Sequence, residues 1–253
     1  MIIDSHCHLD FEAFDNDRDS VIKNANATGV NKIIIPGVMS KTWNNIKQCC
    51  KTYSGLYPCY GLHPYFIDNH KKSDLDNLKK WIESNQPVAV GECGLDFFVK
   101  NLDKKLQTFY FEQQLDIALE HELPVVIHAR KSTEDVIDTI KQRPGLRGMI
   151  HSYSGSYEQA VKLINLGFYL SFGGPVTYKK STRLRKIVQS LPLEYLLVET
   201  DAPDQPTANA GSQRNEPANI VEVVSAIAEL HDLDREAVAS ATTDNAQKLF
   251  QLV

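Results

Sequence analysis

The chain has 253 residues, a formal net charge of −5, and 42% hydrophobic and 23% charged residues. Its length is close to the roughly 250 residues of one (β/α)8 barrel, so a single domain covering residues 1–253 is predicted. An acidic chain argues against a broad electrostatic clamp on DNA, which needs clustered lysines and arginines, but not against a site that holds one strand end through metal ions.

The N-terminal residues and the cysteines indicate the compartment. Met1 to Asp4 contain neither a basic region nor a long apolar stretch, so no secretory signal is predicted. No apolar run approaches the length of a membrane span. The five cysteines are an odd number without the spacing of a disulfide framework, which favours reduced thiols. Together these features predict a cytoplasmic protein that does not contact a membrane.

Eight short segments are predicted to be strands. Most are continuously apolar, as expected for strands buried on both faces of a parallel sheet. No Gly-x-Gly-x-x-Gly follows the first strand, and strands alternate with helical stretches, so an α/β fold is predicted, a (β/α)8 TIM barrel rather than an open doubly wound sheet. The predicted strands are Ile2–His6, Lys32–Pro36, Leu56–Gly61, Val88–Glu92, Val125–His128, Gly148–His151, Phe168–Phe172 and Leu196–Asp201.

The segments between the strands are predicted to be helices and one long loop. The loop covers roughly residues 202–217 and follows the last strand, so it is expected at the rim of a site. Two apolar stripes have the spacing of one helix face and are expected to pack on the sheet. These stripes are Phe111, Leu115, Ala118 and Leu119, and Ile220, Val223, Val224 and Ile227.

Metal-ligating or acidic side chains stand at the ends of five predicted strands. A lone histidine is more often a buried core residue, but the ends of many parallel strands meet where α/β barrels carry their chemistry. His6 and His8 are two residues apart, which would place both on one face of a strand. The other residues of this kind are Glu92, His128, His151, Glu199 and Asp201.

This mixture of side chains favours a site for divalent cations. Histidines and carboxylates suit Zn²⁺, Mn²⁺ or Mg²⁺, which the residue types alone separate poorly. Glu92 can bridge two ions, and Asp201 can act as a ligand and water activator, since two ions about 3.5–4 Å apart lower the pKa of a bridging water. No serine or cysteine nucleophile with a dedicated base is visible. Asp4, Asp10 and Glu199 are candidate supports for the ligating histidines; turn and cap roles are equally open for Asp4 and Asp10.

These residues lie in segments that resemble the TatD family of metal-dependent hydrolases, within the amidohydrolase-like barrels. The Thr-Asp-Ala-Pro-Asp run is most similar to the YjjV-like branch. The segments follow the family order over almost the whole chain: Asp4–Asp10, Gly61–Pro64, Gly91–Asp96, Pro124–His128, His151–Gly155, Glu199–Pro203, Asn215–Pro217 and Thr243–Phe250.

The resemblance implies a TIM barrel with two divalent metal ions and a water nucleophile. Family members include metal-dependent deoxyribonucleases, some of them 3′-to-5′ exonucleases, so a nucleic-acid end or another phosphodiester is the implied substrate. His63 matches a histidine that contacts the scissile phosphate, although Pro64 alone could shape this position. Asp201, Glu92 and His63 are therefore the predicted catalytic residues. The implied ligands are His6, His8, Glu92 and Asp201 for one ion, and Glu92, His128 and His151 for the other.

Two other functions stay open on the sequence. An activated water can also attack carbon, which would make the protein a hydrolase of a small ester, an amide or an aminoacyl-tRNA linkage. Strand four ends in Glu92, however, so the bridging carboxylated lysine of the commonest amidohydrolases is missing. A barrel that keeps its metals only for structure or binding is the third interpretation.

The region around the predicted rim departs most from the family. Residues 204–215 replace the proline- and glycine-rich stretch that many members carry between the last strand and Asn-Glu-Pro. Substrate is therefore predicted less directly than metal binding, because barrels change their chemistry through their loops. The candidate phosphate or base contacts, each of which could also be a solvated surface residue, are Arg130, Lys100, Arg214 and Tyr153. No oligomeric state is predicted.

Overall fold

Strands and helices alternate along the chain in the structure, a computed structural model that describes residues 1–252. The strands are β1 (Ile2–Asp4), β2 (Val30–Ile35), β3 (Leu56–Tyr60), β4 (Ala89–Asp96), β5 (Val125–Arg130), β6 (Gly148–Ile150), β7 (Phe168–Phe172) and β8 (Leu196–Val198). The helices are α1 (Arg18–Ala27), α2 (Trp43–Thr52), α3 (Ser73–Asn85), α4 (Lys104–Glu120), α5 (Thr133–Lys141), α6 (Tyr157–Asn165), α7 (Thr182–Ser190), α8 (Ile220–His231) and α9 (Arg235–Phe250).

The eight strands follow one another in the sheet in chain order, from β1 to β8. Every pair with a described register is parallel. This is the number and order of strands predicted from the sequence. Within residues 1–252, no helix is both long enough and apolar enough to cross a membrane.

The chain groups into two compact units. The first contains residues 1–35 and the chain from Leu170 onwards, and the second runs from Pro36 to Tyr169. In the first unit β1 pairs with β2 and β7 with β8. In the second, β3, β4, β5 and β6 pair in succession. The organisation of residues 1–253 as one domain stays a prediction.

Two strands of the first unit end earlier than predicted. β1 stops at Asp4 rather than His6, and β8 stops at Val198 rather than Asp201. Beyond these points the Asp4 side chain accepts hydrogen bonds from the backbone N–H groups of His6 and Thr200. The side-chain contacts therefore replace part of the strand ladder. His6 and His8 do not lie on one face of a strand, so that prediction is wrong.

β4 is longer than predicted, since it continues past Glu92 to Asp96. Gly94 allows this, because it pairs with His128 of β5 so closely that a Cβ atom at Gly94 would lie 2.1 Å from the His128 carbonyl oxygen. β7 has the predicted bounds. The other predicted strands are shifted by one or two residues at one or both ends, where periodicity carries little information.

Helix α4 holds two strand ends through buried glutamines. Gln114 accepts a hydrogen bond from the Leu62 N–H and donates one to the Leu62 carbonyl. Gln107 makes the same pair of bonds with the backbone of Asp96. Three residues of the predicted α4 stripe are buried and Leu119 is half-buried, whereas all four of the α8 stripe are buried. Both stripes are confirmed as core faces.

Gly94→Ala is expected to lower the free energy of unfolding by about 2–4 kcal/mol, because the added methyl meets backbone atoms and φ is +140°. Gly145→Ala is the matched control, since Gly145 also has a positive φ of +88° but nothing within 4 Å of the added atom. Only the backbone cost of about 1 kcal/mol applies there. Urea unfolding of both variants measures the difference. Equal losses would show that the β4–β5 contact is not tight.

Candidate metal centre

Three histidine side chains in the second unit surround one carboxylate oxygen. Glu92 Oε1 lies 2.9 Å from His63 Nε2, 3.1 Å from His128 Nδ1 and 3.2 Å from His151 Nε2. Glu92 belongs to β4 and His128 to β5, while His63 and His151 follow β3 and β6. Glu92 is 1% exposed. We call these four residues the Glu92 cluster. Glu92, His128 and His151 are among the residues predicted at strand ends, and His63 is the residue that the family resemblance adds.

Asp96 determines which nitrogen of His128 faces Glu92. Its Oδ2 lies 3.1 Å from His128 Nε2, and its Oδ1 accepts hydrogen bonds from the backbone N–H groups of Phe98 and Val99. A carboxylate that accepts from Nε2 leaves the lone pair of a neutral imidazole on Nδ1. Metal-ligating histidines commonly have such a carboxylate partner on the other ring nitrogen.

The charges of the cluster fit a cation. Burial disfavours the charged form of His128, but its hydrogen bonds to Asp96 and Glu92 outweigh burial and raise its pKa. For Asp96, burial opposes ionisation, yet the His128 hydrogen bond and two backbone N–H groups win and lower its pKa. A neutral His128 would turn a lone pair towards the Glu92 carboxylate at 3.1 Å. A cation held by both atoms would turn that repulsion into two attractive contacts.

His63 has a different hydrogen-bonding role from His128. Its Nδ1 accepts a hydrogen bond from the Tyr65 N–H at 3.0 Å, so the proton of the neutral ring is on Nε2 and faces Glu92. Burial lowers the pKa of His63, which favours this neutral form. Although ligand atoms of His63, Glu92 and His128 lie within 4.8 Å of one another, His63 offers an N–H donor, whereas a neutral His128 would offer a lone pair.

A second group of ligand atoms lies in the first unit. Asp201 Oδ1 is 3.4 Å from His6 Nε2 and 3.6 Å from His8 Nε2, and the two Nε2 atoms are 3.3 Å apart. We call these residues the Asp201 cluster. All three are buried, with Asp201 at 9% exposure. Gln205 donates a hydrogen bond to the other carboxylate oxygen, Oδ2, which fixes the orientation of the Asp201 side chain.

Asp4 supports the Asp201 cluster through the backbone and not through a histidine ring. It accepts hydrogen bonds from Thr200 N–H, Thr200 Oγ1 and His6 N–H. Burial raises its pKa to about 8 in spite of these bonds. Glu199 is buried and has a carboxylate oxygen within 4.8 Å of a ring nitrogen of His6, and its supporting role stays a prediction. Asp10 shows no contact with a ligating histidine in residues 1–252, and burial raises its pKa to about 7.

The four predicted rim contacts have different surroundings. Arg214 is ion-paired with Asp17 and Glu216, and Tyr153 is buried with its hydroxyl donating to the Ser156 carbonyl. These contacts give both side chains a structural role. The guanidinium of Arg130 lies 3.9 Å from the ring centre of Phe98 and is half exposed. Lys100 is exposed.

Comparison with known sequences, like the geometry of the two clusters, indicates a metal-dependent protein. A family model described as "TatD related DNase" matches residues 3–251. The chain belongs to this family. The metal-dependent hydrolase YabD of Bacillus subtilis (strain 168), itself described as uncharacterized, is 35% identical over 254 residues and covers 100% of both chains. YjjV of Escherichia coli (strain K12), described in the same words, is 33% identical and covers 99% of this chain and 98% of its own.

Solved structures of TatD relatives agree with the fold. The crystal structure of YjjV, a TatD homolog from Escherichia coli K12, has a TM-score of 0.96 at 32% identity, covering 100% of this chain and 98% of that one. A TatD family hydrolase from Entamoeba histolytica, with a TM-score of 0.87 at 22% identity, shows the fold alone. The predicted α/β fold, an amidohydrolase-like (β/α)8 TIM barrel, is confirmed. As a TatD-family member, the protein is a metal-dependent hydrolase.

Asp96 is the site residue to which the sequence assigned no role. It was visible only as the last residue of the Gly91–Asp96 segment. Glu92, Gly94 and Asp96 alternate along β4, and alternate residues of a strand share a face. An extension of the strand past Glu92 would have identified it.

Asp96→Asn is expected to weaken divalent metal binding by about 10–100-fold. The new amide N–H₂ would donate to His128 Nε2, so the ring proton would move to Nδ1 and block the lone pair that faces Glu92. Competition with a fluorescent chelator measures the affinity of the folded protein. Asp103→Asn is the control, since Asp103 is an exposed residue that caps α4. Unchanged affinity in Asp96→Asn would contradict the positioning role.

Proposed function

We propose that this TatD-family protein hydrolyses phosphodiester bonds at the ends of DNA strands, as a deoxyribonuclease of the 3′-to-5′ exonuclease type. The observation that carries the proposal is the convergence of three imidazole nitrogens on one buried oxygen of Glu92. The Glu92 oxygen with the nitrogens of His128 and His151 forms a donor set that suits Zn²⁺ or Mn²⁺, and Mg²⁺ through the carboxylate. The family description, which names a DNase, adds support for the substrate.

Two divalent ions are proposed, with ligands from both clusters. In the Glu92 cluster, Glu92, His128 and His151 would be ligands, and in the Asp201 cluster His6, His8 and Asp201 would be ligands. Ions bound there supply charge neutralisation at phosphate and a water of lowered pKa.

The side chains of the chain have separate proposed roles. His63 Nε2–H is placed to donate to a non-bridging phosphate oxygen, because its Nδ1 is occupied by the Tyr65 N–H. Asp201 Oδ1 would accept the proton that the attacking water loses, since Gln205 already holds Oδ2. Asp96 keeps the Nδ1 lone pair of His128 directed at Glu92. In this scheme His63, Glu92 and Asp201 are the catalytic residues, and Asp96 is a positioning residue.

A cytoplasmic location is part of the same proposal. Four of the five cysteines are buried. Burial raises the pKa of the Cys7, Cys59 and Cys93 thiols, which keeps them protonated and poorly reactive. Reduced thiols of this kind are typical of a reducing compartment.

The substrate is tested by comparing turnover on phosphodiesters with turnover on carbon-centred substrates under one set of metal conditions. We expect a 5′-labelled single DNA strand to shorten stepwise and a 3′-labelled strand to release labelled mononucleotide at once. Esters, amides and aminoacyl-tRNA should react far more slowly. Faster hydrolysis of any of these than of DNA, at saturating substrate, would refute the deoxyribonuclease proposal and favour attack on carbon.

A further inference from the structure

A groove lined by lysines and aromatic side chains lies between α2 and α3 in the second unit. It consists of two depressions of about 560 and 460 Å³ that share Lys47, Ser84 and Asn85. The first extends to Ser40 and Lys41, before α2 begins. The second extends to the beginning of β3 and the last residues of α3. The two depressions therefore adjoin each other between α2 and α3.

The charge of this groove is opposite to the charge of the chain. Four lysines line it, Lys41, Lys47, Lys51 and Lys80, and no aspartate or glutamate does. None of the four has an ion pair with a carboxylate in residues 1–252. By contrast, Lys79, Lys141 and Lys162 are each paired with an acid. A local positive charge in a chain of net charge −5 attracts anions selectively to this face.

The groove also offers one partly exposed aromatic ring, that of Trp81, which is supported by two buried rings. Trp81 is half-buried and packs against Trp43 and Tyr60, with ring centres 6.0 and 5.8 Å apart. Trp43 is 2% exposed, and its Nε1–H donates to the Gly61 carbonyl, which fixes the aromatic group to the end of β3. The Lys47 ammonium lies 5.4 Å from the centre of the Trp81 ring. In a bound nucleotide, the base could stack on the aromatic ring while the neighbouring phosphate pairs with the cation.

One end of the groove is close in the chain to the Glu92 cluster. Lys41 follows Val38 by three residues, and the Val38 carbonyl accepts a hydrogen bond from the backbone N–H of His63. Gly61, which holds Trp43, precedes His63 by two residues. The groove therefore begins beside backbone that also positions a residue of the proposed site.

We propose that this groove is an accessory binding site for single-stranded nucleic acid, which holds the strand beyond its reacting end. The proposal rests on the function proposed above. Lysines neutralise backbone phosphates without reading sequence, and aromatic rings stack on bases, the combination that binds single strands. Lys47 and Lys51 are one helical turn apart, about 6 Å along α2, and Lys80 lies on the other helix. This spread fits several phosphates of one strand better than a single free nucleotide.

Binding without turnover tests the accessory site separately from catalysis. The protein would be Glu92→Ala in chelator, and the probe a fluorescein-labelled oligothymidylate followed by anisotropy. Lys47→Ala/Lys80→Ala in this background should weaken binding at least about tenfold at low salt and reduce the slope of log K against log salt by about 1.4, two phosphate contacts at 0.7 each. The chain has two tryptophans, both at the groove, so unlabelled oligothymidylate should also quench tryptophan emission.

Lys141→Ala/Lys162→Ala is the matched control, since it removes the same charge outside the groove. Equal binding by the two double variants would overturn the accessory site, as would binding of thymidine monophosphate or inorganic phosphate as tightly as the oligonucleotide. Loss of binding in the groove variant, together with no DNA cleavage by wild-type protein, would support the groove and refute the proposed function. DNA cleavage by the wild-type protein, together with equal binding by the two double variants, would support the proposed function and refute the groove.

Discussion

Glu92→Ala is expected to lower the rate of phosphodiester hydrolysis at least about 10³-fold, because a bound metal contributes several kcal/mol to the transition state and each 1.36 kcal/mol is a factor of ten. Glu92 Oε1 is the one atom that faces all three imidazoles of its cluster. Its loss removes the negative charge that would hold the cation. Turnover of labelled single-stranded DNA, measured at saturating metal, gives the effect.

The fold of Glu92→Ala should survive, because the backbone N–H of Glu92 keeps its bond to the Gly37 carbonyl. Glu236→Ala is the control, as it removes one acidic charge from an exposed position in α9. Circular dichroism and thermal unfolding should show both variants folded. Normal turnover in folded Glu92→Ala under the same metal conditions would contradict the assignment of Glu92 to the centre.

Asp201→Asn is expected to lower kcat at least about 10²-fold while the protein stays folded, since general base catalysis contributes about 10²–10⁴-fold. The amide keeps the shape of the side chain, but it is neutral and accepts a proton poorly. The same change weakens the ligand set at His6 and His8, which lie 3.4 and 3.6 Å from Asp201 Oδ1. Steady-state kinetics on an oligonucleotide measure kcat and KM separately.

The nearby Asp204→Asn is the control for Asp201→Asn. Asp204 lies in the same loop and is exposed. Its backbone N–H donates to the Asp201 carbonyl and its backbone carbonyl accepts from the Asn215 side chain, and the substitution leaves both backbone groups in place. We expect near wild-type kinetics for this variant. If both variants retain wild-type kcat, Asp201 is neither a proton acceptor nor an essential ligand.

The number and order of strands could be predicted because apolar segments and helical stripes extend over many residues. The residues at which strands end could not be predicted, because single contacts decide where a strand ends. β1 and β8 end where Asp4 bonds to backbone N–H groups of His6 and Thr200. β4 continues because Gly94 brings its backbone against β5. The Asp4–Thr200 and Gly94–His128 contacts join residues that are far apart in the sequence.

The candidate ligands could be predicted from their residue type and their position at the ends of predicted strands. The hydrogen bonds that each of them makes could not be predicted. Asp96 needed the true length of β4 before it could be matched with His128. His63 differs from His128 because the Tyr65 N–H occupies its Nδ1. Arg214 has the charge of a phosphate contact but is ion-paired to Asp17. A residue type indicates possible chemistry, and its neighbours in space determine which chemistry is used.

Metal content and cleavage of labelled single-stranded DNA, measured on one metal-stripped sample before and after addition of Mg²⁺, Mn²⁺ or Zn²⁺, test the proposed centre most directly. We expect two equivalents of metal to bind and end-dependent shortening of the DNA to return with them in wild-type protein but not in Glu92→Ala. Protein that binds two equivalents and cleaves no DNA with any of the three metals would contradict the proposal. Such a result would direct the search to esters, amides and aminoacyl-tRNA.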